Sequence, residues 1–319
     1  MKVIRDFDRP AYQAFYSVAG RLLFIEVHSL QLRRQIELLF SSWHLTPAPF
    51  TPSPDIRIRF TCGEPKLELP RHLNQFEIAG GGRCYTDGAD FYLLLRDAVV
   101  HLVSGTPIAV NVSLARLTDS DDPLLATIVS FAICAALRRF GLFDLHSAGV
   151  VHPKTGKGIL IVGASGSGKS TMALQLTRAR WPYLSDDALL LNLEDGEVHA
   201  RGFRRCFAVS IEAGSKFKTL FEPDVAFGCP RWEHASPGLL LFIRLAGEEK
   251  TRLCKLTQAE TMMMLIKSCP WATYDTAVAS ANLEVLSVLA RQATGFNLSA
   301  GRDLLVRGRA AELLSQCGS

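Results

Sequence analysis

Closely spaced cysteines are absent from this sequence. Its eight cysteines are scattered along 319 residues, at positions 62, 84, 134, 206, 229, 254, 269 and 317, and no two form a Cys-x-x-Cys motif. Zinc clips and dithiol redox sites are usually built from such pairs, which argues against both kinds of site. Scattered cysteines of this kind are expected to be reduced thiols in a cytoplasmic protein.

The sequence also has no long hydrophobic run. Its longest apolar stretch, residues 124–137, contains Thr127 and Ser130. That stretch is shorter than the roughly 20 residues that a helix needs to cross a bilayer. The first eight residues lack the apolar segment of a secretory signal. We therefore expect a soluble, cytoplasmic protein with no membrane partner.

A strong net charge is missing as well. The formal net charge is +4, and no block of basic residues alternates with aromatic residues as in a surface that binds single-stranded nucleic acid. The contents of 48% hydrophobic and 21% charged residues are typical of a folded globular protein. These values disfavour a nucleic-acid partner and are compatible with a homo-oligomer.

A glycine-rich motif is the most specific pattern that the sequence does contain. Residues 163–170 read Gly-Ala-Ser-Gly-Ser-Gly-Lys-Ser and fit the phosphate-binding pattern G-x-x-x-x-G-K-[ST]. The apolar run 158–162 before them predicts a strand, and residues 171–177 after them predict a helix. In this arrangement backbone N–H groups and a helix N-terminus converge on phosphate oxygens.

The motif predicts a nucleotide-binding site. Its predicted phosphate-binding residues are Gly163, Ala164, Ser165, Gly166, Ser167, Gly168, Lys169, Ser170 and Thr171. We expect the Lys169 ammonium near the β- and γ-phosphates and the Ser170 hydroxyl on Mg²⁺.

Acidic and imidazole side chains near the motif could supply the chemistry. Asp186 and Asp187 follow the predicted helix, and His146 precedes the motif. One carboxylate could hold Mg²⁺ together with Ser170, and the other could deprotonate an attacking hydroxyl. An aspartate pair is also common in turns and at helix caps, and a single histidine is often structural, so both alternatives remain open.

The arrangement of predicted elements divides the chain into two parts. Residues 1–121 form a strand-rich lobe, and residues 122–319 form the domain with the glycine motif, with a helix over residues 122–140 bridging the two. The predicted strands of the first part are 20–27, 55–60, 76–78, 83–86, 91–95, 99–103 and 108–112, with a helix over 29–40. Asp122 and Pro123 are expected to start the bridging helix, which disfavours a cation site formed by Asp119, Asp121 and Asp122.

The second part alternates strands and helices. The predicted strands are 149–152, 158–162 and 239–245, and within residues 183–191 the acidic pair precedes a further apolar strand. A turn at 247–250 leads from the strand 239–245 into a predicted hairpin over 251–256. Helices over 257–268 and 274–293 and a strand-like end over 296–306 follow. Met262, Met263 and Met264 lie on the first of these helices, where core packing is favoured over a binding groove.

Three segments together resemble a known family. They are His-Ser-Ala-Gly-Val at 146–150, the strand and glycine motif at 158–170, and Leu-Ser-Asp-Asp at 184–187. This combination resembles the catalytic domain of HPr kinase/phosphorylase, and more closely the HPr kinase-related proteins that include lasso-peptide precursor kinases. The resemblance covers about residues 140–200 and implies an α/β fold with a P-loop kinase core like that of phosphoenolpyruvate carboxykinase. The strand pattern of residues 1–121 predicts a strand-rich α+β N-terminal lobe beside this core.

The resemblance also implies roles for individual residues. His146 matches the active-site histidine, Lys169 and Ser170 match the contacts to ATP and Mg²⁺, and Asp186 and Asp187 match the acidic pair, one of which acts as the base toward a serine hydroxyl. The family's Glu-x-Arg-Gly segment has its nearest match at residues 199–202, where His199 replaces the glutamate. The expected partner is a peptide or small protein that bears a serine. A small-molecule kinase and a noncatalytic nucleotide-binding accessory protein remain alternatives.

Overall fold

The computed structural model describes residues 10–63, 69, 73–78, 82–116, 123–210 and 218–315. The chain forms two compact units, Met1–Phe140 with Thr273–Ala279, and Gly141–Ala272 with Ser280–Ser319. The first unit thus extends beyond the predicted boundary at residue 121 and includes the helix that was expected to bridge the two parts. Asp119, Asp121 and Asp122 lie outside the described residues.

A nine-stranded sheet forms the first unit. Its strands are β1 (Tyr12–Val18), β2 (Arg21–Val27), β3 (Thr46–Pro47), β4 (Ile56–Cys62), β5 (Asn74–Ile78), β6 (Gly82–Thr86), β7 (Phe91–Leu95), β8 (Ala98–Val103) and β9 (Ile108–Leu114). They lie in the order β3-β1-β2-β4-β9-β8-β7-β6-β5, and only the β2–β4 and β4–β9 pairs among them are parallel in the described residues.

The first unit also contains two helices, α1 (Leu30–Ser41) and α2 (Pro123–Arg138). Ser29 caps α1 by accepting a hydrogen bond from the Leu32 N–H group, and α1 buries Leu32, Ile36 and Phe40 at helical spacing. In β4 the apolar residues are buried while Arg57 and Arg59 are exposed. One face of β4 is therefore turned toward the core, as the alternation in the sequence predicts.

The second unit contains the other strands. They are β10 (Phe143–Leu145), β11 (Ser147–Val151), β12 (Gly158–Val162), β13 (Tyr183–Ser185), β14 (Leu189–Glu194), β15 (Glu197–Gly202), β16 (Phe207–Ser210), β17 (Lys218–Phe221), β18 (His234–Ala235), β19 (Pro237–Leu245), β20 (Arg252–Lys255) and β21 (Thr294–Ala300). The remaining helices of the chain are α3 (Lys169–Arg178), α4 (Pro223–Phe227), α5 (Gln258–Ser268), α6 (Trp271–Tyr274), α7 (Ala279–Gln292) and α8 (Arg309–Ser315).

A six-stranded sheet with the order β13-β11-β12-β19-β21-β20 positions the glycine motif. β12, β19 and β21 are parallel neighbours, so their carboxyl ends meet at one edge of the sheet. β11 runs antiparallel to both β12 and β13, so it begins at the edge where those two strands end. We call this side the loop edge, because the segment after β12, the residue before β11 and the residues after β13 all lie there.

A hydrophobic core between this sheet and α3 holds the strands that flank the glycine motif in place. β11 and β12 are fully buried along their lengths, and alternate residues of β12 and β19 pack against Met172, Ala173 and Leu176 of α3. Two further sheets complete the unit, a four-stranded one with the order β10-β14-β15-β18 and the β16–β17 pair. The α/β class predicted from the sequence is confirmed at this level of a mixed fold with several sheets.

Some sequence predictions are wrong in detail. The hairpin predicted over 251–256 is wrong, because β20 pairs with β21 rather than with β19. The strand predicted after the acidic pair is β14, and a turn at 186–188 separates it from β13, which lies in another sheet. The helix predicted from residue 274 begins at Ala279, and the last strand ends at Ala300. Core packing is wrong for Met263, whose exposed fraction is 58%. None of the helices in the described ranges has the length and apolarity needed to span a bilayer.

Candidate nucleotide-binding and catalytic site

The glycine loop, residues 163–168, connects β12 to α3 at the loop edge. Gly163 lies against the neighbouring strand, since a Cβ atom built on it would be 2.7 Å from the carbonyl oxygen of Ile243. Gly166 and Gly168 have φ angles of +78° and +99°, in the left-handed region that favours glycine. Each glycine thus has its own structural reason, and the loop leads into a helix N-terminus, which attracts anions.

The predicted phosphate-binding residues differ in their exposure. Ala164, Ser165, Gly166 and Thr171 are exposed, Gly163, Ser167, Gly168 and Ser170 are half-buried, and Lys169 is buried. A phosphate group approaching from solvent would therefore meet the exposed backbone of the loop first.

The Lys169 ammonium is held at the centre of the site. Its Nζ atom donates to the carbonyl oxygens of Gly163 (2.9 Å) and Ala164 (3.1 Å), and it lies 2.8 Å from Nε2 of His146. Because an ammonium group can only donate, Nε2 of His146 accepts this hydrogen bond and the ring proton resides on Nδ1. The structure thus brings together two predicted residues that are far apart in the sequence.

His146 in turn contacts the acidic pair. Its Nδ1 atom lies 3.4 Å from Oδ1 of Asp187, and both side chains are almost half exposed. The surrounding protein partly desolvates the ring, and this is the main cause that lowers the pKa of His146 below its usual range. The charge of Lys169 lowers this pKa further, whereas the charge of Asp187 raises it. The neutral ring is therefore favoured near neutral pH, which agrees with the hydrogen bond from Lys169.

Asp186 has a different partner from Asp187. Its side chain is buried, and Oδ1 accepts a 2.7 Å hydrogen bond from the Ser170 hydroxyl in the first turn of α3. Carboxylate and hydroxyl oxygens are the ligands that Mg²⁺ prefers, and Mg²⁺ commonly takes one or two protein ligands beside substrate phosphates. This donor pair therefore fits Mg²⁺. Within the described ranges, no group of three or more His, Cys, Asp or Glu side chains is arranged to hold a metal ion.

A tight turn directs the two carboxylates to these separate partners. Asp187 has a φ angle of +63°, and the Ala188 N–H group donates to the Asp186 carbonyl oxygen at 2.7 Å, which closes a turn of three residues. Left-handed backbone is uncommon for a residue with a side chain and often occurs at functional sites. The metal role predicted for Asp187 stays a prediction, since its carboxylate is placed beside His146.

Ser185 holds this turn, and sequence reasoning assigned no role to it. Its buried hydroxyl donates to the Ala188 carbonyl oxygen (2.6 Å) and accepts hydrogen bonds from the N–H groups of Phe203 (3.2 Å) and Arg204 (2.8 Å). The single proton and both lone pairs of the hydroxyl are thereby used. A small polar residue between a buried strand and an acidic pair was the only signal of this role in the sequence.

Arg204 is a second residue that the sequence did not single out. Its backbone is fixed by Ser185, and its positive charge lies near enough to His146 to contribute to lowering the pKa of that ring. The site therefore contains a second cation besides Lys169. The sequence shows two adjacent arginines, Arg204 and Arg205, and does not tell which of them lies near His146. Only the fold distinguishes them.

His199 does not lie with the acidic turn. It pairs with Asn192 in the β14–β15 ladder, whereas Gly202, three residues further along β15, pairs with Leu189 beside the turn. Three residues of strand correspond to about 10 Å. Arg201 binds Asn192 (3.2 Å) and Glu194 (2.9 Å) on the same ladder. The segment that matches Glu-x-Arg-Gly thus forms a polar cluster of its own.

Comparisons with known proteins found a weak similarity in structure. No protein-family model matches the chain, and no curated protein matches it. Among solved structures, the chain is similar to the HPr(Ser) kinase/phosphatase from Coxiella burnetii, with a TM-score of 0.32 and 12% sequence identity, over 55% of this chain and 99% of that one. A similarity of this degree assigns neither a family nor an activity to the chain.

Proposed function

We propose that this protein is a kinase that depends on ATP and Mg²⁺ and transfers the γ-phosphoryl group to a hydroxyl, specifically a serine of a peptide or small protein. One observation carries the proposal. Ser170 donates a hydrogen bond directly to Asp186, whereas Lys169 contacts His146, whose other ring nitrogen lies 3.4 Å from Asp187. Phosphoryl transfer needs a residue that holds Mg²⁺ and a residue that accepts the hydroxyl proton, in adjacent positions.

The phosphate-binding part of the site consists of the loop backbone, Lys169, Ser170 and Asp186. The N–H groups of residues 164–170 and the Lys169 ammonium bind the β- and γ-phosphates, and for this Lys169 exchanges its hydrogen bonds to Gly163 and Ala164 for phosphate oxygens. Ser170 and Asp186 are the residues that would hold Mg²⁺, which when bound neutralises charge on the transferring phosphates.

The acceptor part of the site consists of Asp187 and His146. Asp187 accepts the proton of the attacking hydroxyl, and the neutral His146 ring orients Asp187 from 3.4 Å away. Lys169 and Arg204 add positive charge beside the reaction, which favours the developing charge on the phosphoryl group. Most of the rate gain then comes from alignment and electrostatics.

The exposure of the acceptor residues favours a large acceptor over a buried metabolite. The side chains of His146 and Asp187 are 45% and 44% exposed, so the proton-accepting carboxylate can be reached by a serine on another polypeptide. The resemblance of the three sequence segments to HPr kinase-related proteins supports the same acceptor. A small-molecule kinase would use the same residues with an acceptor that is free in solution.

Transfer of labelled phosphate tests the proposal. The wild-type protein is incubated with γ-labelled ATP, Mg²⁺ and either a library of serine peptides or a mixture of small molecules that bear hydroxyl groups, in parallel with Lys169→Ala and Asp187→Asn. Asp195→Asn is the matched control, because Asp195 is an exposed aspartate of the β14–β15 turn. We expect label on peptides with the wild type and the control, and a loss of about 100-fold or more with Asp187→Asn. Label that appears only on small molecules would support the small-molecule kinase instead.

A noncatalytic nucleotide-binding protein is the second candidate. It is favoured by His199, which stands where the related segment has glutamate and pairs with Asn192 away from the acidic turn. In that case the transfer experiment leaves every acceptor unlabelled, while calorimetry shows ATP binding that Lys169→Ala weakens.

A further inference from the structure

Exposed apolar side chains gather at the loop edge of the second unit. Leu245, the last residue of β19, is 65% exposed, and Leu305 and Val306, which follow β21, are 62% and 63% exposed. Neighbouring Leu304, Ala300 and Ile243 are buried in the core, so these segments are ordered parts of the fold. One exposed aliphatic side chain at the end of β19 and two on the segment after the neighbouring strand β21 indicate a contact with an apolar part of a ligand.

Leu245 lies directly beside the glycine loop. A Cβ atom built on Gly168 would be 3.4 Å from Cδ2 of Leu245, which is van der Waals distance. Leu245 is two residues beyond Ile243, which packs against α3, so both side chains lie on the α3 face of the sheet. The exposed surface of Leu245 thus continues the surface of the loop on this face.

The segment after β21 borders Leu245 on the side away from the loop. β19 lies between β12 and β21 in the sheet. Hydrogen bonds fix the segment after β19 to the end of β21 and the segment that follows it. Ala246 N–H donates to Ala300 O (3.1 Å), and Arg302 N–H donates to Glu248 O (3.0 Å). Leu245 therefore lies between the phosphate loop and the turn that carries Leu305 and Val306.

The orientation of the triphosphate follows from the chemistry on the other side of the loop. Lys169 Nζ lies at His146, next to β11, so the γ-phosphate is expected on the β11 side of β12. In-line transfer requires the acceptor and the leaving diphosphate on opposite sides of the γ-phosphorus. The acceptor approaches from His146 and Asp187, and the rest of the nucleotide then leaves the loop toward β19.

We infer that Leu245, together with Leu305 and Val306, forms the surface on which the base of a bound purine nucleotide rests. This inference depends on the proposed function, because it takes the direction of the triphosphate from the proposed positions of Lys169 and Asp187. The flat faces of a nucleobase are apolar and match exposed aliphatic side chains, while the loop holds the charged part of the same molecule. The surface thus assigns the nucleoside to the side of the loop opposite the acceptor.

Calorimetric titration with two ligands tests this inference. MgATP and magnesium tripolyphosphate share the phosphate chain but differ in the nucleoside. We expect the wild type to bind ATP about tenfold more tightly, and Leu245→Ser to lose about tenfold in ATP affinity with little change for tripolyphosphate, since one aliphatic contact is removed. Val225→Ser is the matched control, because Val225 is 83% exposed on α4 of the same unit. This control should bind both ligands like the wild type.

The outcomes separate this inference from the proposed function. Equal affinity of the wild type for the two ligands, or a Leu245→Ser effect that is the same for both, overturns the nucleoside surface and leaves the phosphate site intact. Absence of binding for both ligands overturns the phosphate site itself and, with it, the inference. Leu305→Ser provides a second variant, and it should also weaken ATP selectively.

Discussion

Replacement of Ser185 by alanine tests how the acidic turn is held. The Ser185 hydroxyl is fully buried and joins the turn at 186–188 to the segment that follows β15, through hydrogen bonds with Ala188, Phe203 and Arg204. Alanine has nearly the same size and a similar place in the core, but it cannot form these bonds. The substitution therefore isolates hydrogen bonding from packing.

The expected magnitude follows from the groups left without partners. One carbonyl and two N–H groups lose their hydrogen bonds to Ser185. A buried polar group without a partner costs about 1–3 kcal/mol, and Ala188 and Arg204 are only half-buried, so we expect a total loss of about 3 kcal/mol. Because Asp187 depends on this turn for its left-handed conformation, phosphoryl transfer should decrease as well.

Urea denaturation measures the free energy of unfolding, and a label-transfer assay at a temperature where the variant is folded measures the activity. Thr177→Val is the matched control, because Thr177 is also fully buried and its hydroxyl makes a single 3.0 Å hydrogen bond, to the Leu174 carbonyl oxygen within α3. It should lose no more than about 1 kcal/mol. An equal loss in the two variants would refute the argument that Ser185 anchors the turn.

Three further predictions concern the two aspartates, the glycine loop and pH. Asp186→Asn should weaken Mg²⁺-dependent ATP binding by about tenfold or more in calorimetry, whereas Asp187→Asn should keep ATP affinity and lower kcat by about 10²–10⁴-fold. Gly163→Ala should destabilise by about 2 kcal/mol or more, because its Cβ would lie 2.7 Å from the Ile243 carbonyl oxygen, while Gly166→Ala, with open space at φ +78°, should cost about 1 kcal/mol. His152 is buried, and its burial is the main cause that lowers its pKa. The folded state therefore binds fewer protons than the unfolded state. The free energy of unfolding, measured with urea, should fall as pH decreases through about 6.5.

Each of these predictions has a control. The two aspartate variants control for each other, and equal effects of both on ATP affinity would contradict the separate roles. Gly166→Ala is the control for Gly163→Ala, and equal destabilisation would show that the contact with β19 is unimportant. For pH, Nδ1 of His152 accepts hydrogen bonds from the N–H groups of Lys154 and Thr155, which Asn can also accept without titrating. His152→Asn should therefore lose less stability on acidification, and an unchanged pH dependence would contradict this.

The sequence by itself was sufficient to predict the local elements around the glycine loop. The strand at 158–162, the loop and the helix after it are confirmed, because their signals are contained within one short segment: an apolar run, glycines at fixed spacing and helix-forming residues. The alternation in β4 and the amphipathic pattern of α1 were equally legible, since burial on one face imposes a period on the sequence. Boundaries were less accurate, and the missed strands include β1, β10 and β15 to β17.

Only the tertiary structure decided which side chains act together. The sequence presents Asp186 and Asp187 as an equivalent pair, but the left-handed φ angle of Asp187 sends one carboxylate to Ser170 and the other to His146. Likewise the contact of Lys169 with His146 and the anchoring of the turn by Ser185 depend on how β11, β12 and β13 are paired. Spacing along the chain determines only local geometry, whereas contacts between distant residues depend on strand order and register, which many sequence segments determine jointly.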